Sequence, residues 1–223
     1  MRSILLVLFL ILCSCSEKIN NEQILPDNPN DIRPLKIGDK IPNFKLIDLK
    51  GNEFYLYDYL KNKPTILIVF RGGWCLYCNI HLGKIHEIEQ DLFDLGFQIL
   101  AISADLKDKS SELSKKLNIK YDLVRDPDLQ GTLSLGLVYN AEKLYSDMLN
   151  VLENYSGSKK HLLPVPAAFI VDKNAIIHFE YINPNHKVRI HPDILLAAAK
   201  VFVKDSLLSL IHISEPTRLL SIS

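Results

Sequence analysis

The sequence lacks several features that mark particular classes of protein. Its 223 residues include only nine glycines, eleven prolines and one tryptophan, which excludes a collagen-like or low-complexity chain. The 26 basic and 26 acidic side chains balance, and without a basic excess to neutralise phosphates, nucleic acid is not an expected partner. The four cysteines, at positions 13, 15, 75 and 78, form two close pairs. That is not the pattern of a small protein held together by disulfides.

The apolar run near the N-terminus is too short to cross a membrane. Ile4 to Leu12 spans nine residues, whereas a membrane helix needs roughly twenty. With Arg2 in front of it, the run is typical of a secretory signal. The signal ends in LCSC at 12–15, which resembles the bacterial lipobox and implies a lipoprotein signal peptide over residues 1–15 with Cys15 as the lipidated residue. The alternative is a plain secretory signal with two chance cysteines.

Both ends of the chain differ from its middle. Residues 16–34 contain several asparagines and prolines but no apolar periodicity, which predicts a polar tether. Residues 208–218 read LSLIHISEPTR, which resembles the in-frame translation of a transposase sequencing adaptor. We therefore expect residues 208–223 to be an artefactual tail that lies outside the core, frayed or extended. The alternative is a natural amphipathic C-terminus.

Residues 35–205 have the pattern of one α/β domain. Thr65–Phe70 and Gln98–Ser103 are continuous apolar runs, as strands buried on both faces require. Between them, apolar residues at helical spacing predict a long helix from Cys75 to Leu95. The expected order of elements gives a mixed central sheet with helices on both faces. A site on such a sheet lies beyond the carboxyl ends of the central strands.

Shorter elements complete the predicted domain. In chain order we expect a hairpin turning at 50–52, a helix led by Ser110 and ending near Leu117, a strand at 122–124, a helix toward Gly136, an irregular surface insertion over 137–161, a hairpin of strands 167–171 and 176–181, and a final helix from Pro192 to Lys204.

The candidate chemistry follows the first buried strand. Arg71-Gly72-Gly73 predicts a tight turn, and Cys75 opens the helix after it. Unpaired N–H groups at a helix N-terminus stabilise a thiolate, so we expect a lowered pKa for Cys75. Cys78 lies one turn deeper on the same face, positioned to attack a mixed disulfide formed at Cys75.

A metal site is the alternative use of the two thiols. Zinc would need two more thiol or imidazole ligands, and no second cysteine pair remains once the signal is removed. His81 and His86 lie on the same helix, where we expect surface histidines rather than ligands. Neither a metal nor a cofactor is predicted.

Two prolines, Pro164 and Pro166, stand directly before the strand at 167–171. They predict a constrained turn near the same site, in which the Val165–Pro166 bond is a candidate for a cis peptide. An ordinary rigid loop is the alternative.

These motifs together resemble the thioredoxin fold, in which a WCxxC motif follows a buried strand and a Val-Pro precedes the penultimate strand. The string FRGGWCLYCN at 70–79 resembles the peroxiredoxin-like branch of the AhpC/TSA (redoxin) family, as do RDPD at 125–128 and LPVPAAFIVD at 163–172. The resemblance covers roughly residues 37–200. It implies a thioredoxin-like fold, antioxidant thiol chemistry and a redox-active, disulfide-forming pair, with supporting residues Trp74, Arg71, Pro166 and Arg125.

The sequence departs from the peroxiredoxin pattern close to the first thiol. Peroxiredoxins carry a Pro seven positions before the reactive cysteine and a Thr or Ser three before it, where this chain has Ile68 and Gly72. Their peroxide-orienting Arg is replaced near Pro166. Arg71 or Arg125 therefore remains as the candidate cation near the thiol.

The predicted function is that of a thiol oxidoreductase that reduces peroxides or disulfides. With peroxide, Cys75 passes through a sulfenic acid; with a disulfide, it passes through a mixed disulfide. Leu76 replaces the usual Pro inside the CxxC, which leaves the direction of the redox chemistry open. The alternatives are an envelope thiol-disulfide oxidoreductase without peroxidase activity and a Cu(I)-binding chaperone.

The expected partners follow from the resemblance and from the signal. They are a thioredoxin-like protein as thiol reductant, a peroxide or disulfide substrate, and the lipid bilayer through Cys15. The expected location is the bacterial cell envelope, on its periplasmic or extracytoplasmic face.

Overall fold

The computed structural model describes residues 25–214, with side chains up to residue 205. The described strands are β1 (Lys45–Asp48), β2 (Glu53–Tyr55), β3 (Thr65–Val69), β4 (Gln98–Ser103), β5 (Asp122–Arg125), β6 (Val138–Asn140), β7 (Leu162–Pro164), β8 (Ala167–Val171) and β9 (Ile177–Ile182). The described α-helices are α1 (Leu56–Leu60), α2 (Leu76–Asp94), α3 (Lys107–Leu117), α4 (Gln130–Ser134), α5 (Leu149–Ser156) and α6 (Pro192–Ser214). The predicted signal, including Cys13 and Cys15, lies outside the described residues.

Seven strands form one mixed sheet in the order β2-β1-β5-β4-β3-β8-β9. The central strands β3, β4 and β5 are parallel, and the strands on either side of them run antiparallel. Strands β6 and β7 form a separate two-stranded sheet. The predicted mixed sheet, its two hairpins and both central strands are confirmed.

Each face of the sheet carries its own buried apolar cluster. In β3, Ile66 and Ile68 pack into one cluster, and Leu67 and Val69 pack into the other, because successive side chains of a strand point to opposite faces. The first cluster includes side chains from α2, α3 and α6, and the second includes side chains from α1. Helices therefore cover both faces, as predicted, and the expected α/β class is confirmed.

The segment 137–161 is not the irregular surface insertion that the sequence predicts. It contains β6 and α5 and contributes to a third buried cluster, whose members are Tyr139, Ala141, Leu152, Leu163 and Val165. The prediction was wrong because a strand of three residues and a helix of eight are too short to produce a readable apolar period. The half-buried Trp74 packs against this cluster, so the segment borders the candidate site.

Two predicted helix boundaries were also wrong. Helix α3 begins at Lys107. The prediction missed its first turn because that turn is polar and carries no apolar signal. Ser110 is buried inside the helix rather than capping it. Helix α6 continues past Lys204 to Ser214. The backbone of residues 208–214 is thus helical rather than frayed or extended, while the side chains after residue 205 and all of 215–223 lie outside the described residues. Within the described part of the chain, no helix is long and apolar enough to span a bilayer.

Candidate active site

The turn after β3 places Cys75 at the N-cap of α2. The Cys75 amide donates a hydrogen bond to the Gly72 carbonyl at 3.1 Å, and the Cys75 carbonyl accepts the first helical hydrogen bonds, from the amides of Cys78 and Asn79. Cys75 therefore stands at the helix opening, where the sequence places it. Free N–H groups at this end of a helix favour negative charge.

A buried side chain, Asp105, holds the turn between β3 and α2 in place. Asp105 Oδ2 accepts a hydrogen bond from the Gly73 amide at 2.6 Å. Gly72 has a φ of +134°, and a Cβ atom there would lie 2.5 Å from Asp105 Oδ1. Only glycine therefore fits at position 72 beside this carboxylate.

Sequence reasoning missed Asp105. It follows the end of β4, the parallel neighbour of β3, and carboxyl ends of adjacent parallel strands meet at one edge of the sheet. That rule could have identified Asp105 as a candidate site residue from the sequence. Burial raises the pKa of Asp105 to about 7, and the hydrogen bond from Gly73 opposes this shift.

The two thiols are free and buried, but their pKa values are shifted in opposite directions. Cys75 is 4% exposed and Cys78 is 0% exposed. The hydrogen bond from the Cys78 thiol lowers the pKa of Cys75 to about 6, with help from the charges of Arg71 and Arg189 and against the effect of burial. Burial and the neighbouring Cys75 raise the pKa of Cys78 well above its usual value. At neutral pH the pair is therefore a Cys75 thiolate beside a protonated Cys78.

Arg71 is a buried cation next to the first thiol. Its guanidinium lies 4.8 Å from the ring centre of Trp74 and 4.6 Å from that of Tyr145, so two aromatic faces hold it in place. The Nε and Nη2 atoms of Arg71 are buried and have no hydrogen-bonding partner among the described residues. Trp74 is therefore in contact with this cation at the edge of the site.

Arg125 and Pro166 contact parts of the fold that border the site. Arg125 Nε donates a hydrogen bond to the backbone carbonyl of Asp105 at 2.7 Å, so it supports the Asp105 loop. Pro166 is buried directly before β8, the strand that pairs with β3. No cis peptide bond occurs in residues 25–214, so the candidate cis bond at Val165–Pro166 is trans. Pro164 is the last residue of β7, and Val165 and Pro166 link β7 to β8, so the prolines do not lie in an ordinary loop.

Two residues near Cys78 differ from the sequence interpretation. Arg189, in the loop between β9 and α6, places Nη2 3.4 Å from Cys78 Sγ, and no motif pointed to it. His81 is buried rather than on the surface, since it follows Cys78 by one helical turn on the inner face of α2. His86 is partly exposed and pairs with Glu89 at 2.9 Å.

A thioredoxin-like sheet with a dithiol at the N-terminus of the helix after β3 defines a thiol oxidoreductase. The chain belongs to the AhpC/TSA family, whose model matches residues 37–180. The family, fold and class of activity predicted from the sequence are confirmed.

The curated relatives of the chain include two kinds of thiol enzyme. It is 26% identical over 147 residues to the thiol-disulfide oxidoreductase ResA of Bacillus cereus, covering 65% of this chain and 68% of the relative. It is 27% identical over 116 residues to a 1-Cys peroxiredoxin of Hordeum vulgare, covering 49% and 53%. The crystal structure of the peroxidoxin BcpB from Mycobacterium tuberculosis matches with a TM-score of 0.60 at 17% identity, over 75% of this chain and 97% of that one. This last likeness concerns the fold alone.

Proposed function

We propose that the protein reduces disulfide bonds in its substrates, with Cys75 as the nucleophile and Cys78 as the resolving thiol. The observation that carries this proposal is the contrast between the two sulfurs. Cys75 stands at a helix N-cap with its pKa lowered to about 6, whereas Cys78, one turn deeper, is fully buried with a raised pKa. Cys75 is thus a thiolate that can attack at neutral pH, and Cys78 stays protonated until the second step.

The proposed reaction has two balanced steps. The Cys75 thiolate attacks one sulfur of the substrate disulfide, forms a mixed disulfide and releases the other sulfur as a thiolate, which takes up a proton. Cys78 then loses its proton and attacks the Cys75 sulfur. The Cys75–Cys78 disulfide forms and the second substrate sulfur leaves as a thiol. A thioredoxin-like reductant protein supplies the two electrons that restore the dithiol.

Peroxide reduction is the second candidate function, and Arg71 favours it. Two of its nitrogens are buried and have no hydrogen-bonding partner among the described residues, and its charge acts on the Cys75 thiol. These nitrogens offer donors for a peroxide oxygen. The Cys75 thiolate would cleave the O–O bond to give a sulfenic acid and an alcohol or water, and Cys78 would then form the disulfide and release water. Against this candidate, position 72 is a glycine and supplies no hydroxyl donor.

The two substrates are separated by rapid mixing of the reduced protein with a small disulfide and with hydrogen peroxide. We expect the disulfide reaction to be the faster one and to rise about tenfold per pH unit below pH 6 before it levels off, because only the thiolate reacts. A flat profile across this range contradicts the role given to the Cys75 thiolate.

The Arg71→Met variant tests the second candidate at a pH high enough to ionise Cys75 in every variant. If peroxide is the substrate, this variant loses most of its peroxide reaction and keeps its disulfide reaction. Arg125→Met is the matched control, because Arg125 contacts the Asp105 carbonyl rather than the thiol. If Arg71→Met and Arg125→Met lose the peroxide reaction equally, the loss is structural, and Arg71 no longer supports peroxide as the substrate.

We further propose that the protein is anchored in the bacterial envelope by lipid on Cys15, with residues 16–34 as the tether. The support is the lipobox-like end of the signal at residues 12–15. Labelling with a radioactive fatty acid is expected to mark the wild type and the Cys13→Ala control but not Cys15→Ala. Equal label in all three proteins contradicts the anchor.

A further inference from the structure

Arg189 is a cation held against the resolving thiol by its own loop. Its Nη1 donates hydrogen bonds to the backbone carbonyls of His186 and Val188, while Nη2 lies 3.4 Å from Cys78 Sγ. No carboxylate in the described part of the chain forms an ion pair with Arg189. Its positive charge is therefore available to the sulfur.

Few other groups favour a negative charge on Cys78. Burial and the adjacent Cys75 both raise the pKa of Cys78; the charge of Arg189 and the backbone amide of Arg71 lower it. His81, on the same helix, has its pKa lowered to about 4, first by burial and then by the charges of Arg189 and Lys84. It is therefore neutral at physiological pH. Arg189 donates a hydrogen bond to this sulfur, and its charge lowers the pKa of Cys78.

We propose that Arg189 is a catalytic residue of the resolving step, in which it stabilises the thiolate that Cys78 becomes as it attacks the mixed disulfide. The inference deepens the proposed function and rests on it. In that step the bond between Cys75 and the substrate sulfur breaks and the Cys75–Cys78 bond forms. The proton lost by Cys78 ends on the departing substrate sulfur. Arg189 stays protonated throughout, since a guanidinium does not titrate in proteins.

The guanidinium of Arg189 is already held in place before Cys78 ionises. A guanidinium with two nitrogen atoms already fixed on backbone carbonyls or on the sulfur loses little freedom when the thiolate forms. Helix α6 begins at Pro192, three residues further on, and so limits the movement of the loop. The stabilising charge is in place before the reaction starts, which is the arrangement that lowers a barrier most effectively.

The first test requires no substrate. In a Cys75→Ser background, the ionisation of Cys78 is followed by NMR of the ¹³C-labelled cysteine Cβ as the pH is raised. We expect Arg189→Gln to move the midpoint upward by at least about one pH unit, a tenfold change in the acid constant, and Arg189→Lys to move it less. Lys187→Gln, an exposed position in the same loop, is the matched control and should leave the midpoint unchanged. An identical titration in Arg189→Gln and its parent overturns the proposal.

The second test follows the two chemical steps in the protein with both cysteines present. Arg189 also helps to lower the pKa of Cys75, so the comparison starts at a pH at which Cys75 is ionised in both proteins. There we expect Arg189→Gln to form the mixed disulfide at nearly the wild-type rate and to resolve it about tenfold more slowly, with recovery as the pH rises further. A structural defect would instead slow resolution equally at every pH, and that result contradicts the charge role. If Arg189→Gln fails to fold, Arg189→Met is compared with the wild type in the same assay, because methionine keeps much of the side chain and removes the charge. A resolving step without pH-dependent loss in that variant again overturns the proposal.

The two tests separate this inference from the proposed function. A wild type that never forms a mixed disulfide with any disulfide substrate defeats the proposed function. The titration of Cys78 in the Cys75→Ser background still reports whether Arg189 stabilises its thiolate.

Discussion

Replacement of Cys75 by serine is expected to lower turnover by at least about a thousandfold, because it removes the nucleophile of a covalent mechanism. A serine hydroxyl does not ionise near neutral pH and cannot form a disulfide with the substrate or with Cys78. The fold should survive, since serine is a preferred N-cap residue and Cys75 occupies the N-cap of α2. Steady-state reduction of a disulfide substrate measures the loss, and thermal unfolding checks the fold.

Comparing the initial reactions of Cys75→Ser and Cys78→Ser with substrate tests the roles given to the two thiols. If Cys75→Ser kept its initial reaction with substrate while Cys78→Ser lost it, the two roles would be reversed. A Cys75→Ser protein with a markedly lower unfolding temperature would need a second variant, Cys75→Ala, to separate lost chemistry from lost stability.

Replacement of Cys78 by serine is expected to keep the first step and stop the second. The Cys75 thiolate still attacks, since a serine hydroxyl at position 78 can donate the hydrogen bond that lowers the pKa of Cys75. The mixed disulfide then persists because residues 25–214 contain no third cysteine that could resolve it. Intact-protein mass spectrometry should show one substrate half bound per chain, or one added oxygen after peroxide. Treatment with a small thiol should remove the bound half.

A Cys78→Ser protein that turns over substrate without an accumulating adduct would contradict the assignment. Such a result would mean that an external thiol, rather than Cys78, resolves the intermediate. The double variant Cys75→Ser/Cys78→Ser is the matched control and should remain unlabelled.

The parts of this protein that the sequence predicts are those whose signals are local. Strands β3 and β4 are continuous apolar runs, and the spacing of Cys75 and Cys78 is read directly from four consecutive positions. The segment 137–161 was misjudged because its elements are short and its buried cluster is assembled from β6, α5 and β7 rather than from one periodic stretch.

The rest of the site is set by contacts between distant positions. Arg189 is 111 residues from Cys78 in the sequence and belongs to a loop with no motif. Asp105 lies 32 residues from Gly73 and looks like an ordinary polar residue after a strand. His81 was expected on the surface because the residue type of a histidine on a long helix does not show which face it occupies. Such residues are recognised only after the sheet has brought the loops together.

The contact between Asp105 and the turn before Cys75 constrains how this lineage can change. A side chain at position 72 would begin 2.5 Å from Asp105 Oδ1, so the threonine or serine of the peroxiredoxin pattern is sterically incompatible with the carboxylate that now supports the turn. A single mutation at either position is harmful in isolation: one creates a clash, and the other removes the hydrogen bond to Gly73. The two positions are therefore epistatic. A Cβ atom at position 72 would also lie 2.7 Å from Trp74 Nε1, and the φ of +134° disfavours any side chain there. Homologues that carry a hydroxyl residue at position 72 should therefore differ at position 105, in the placement of Trp74 and in the backbone of the turn.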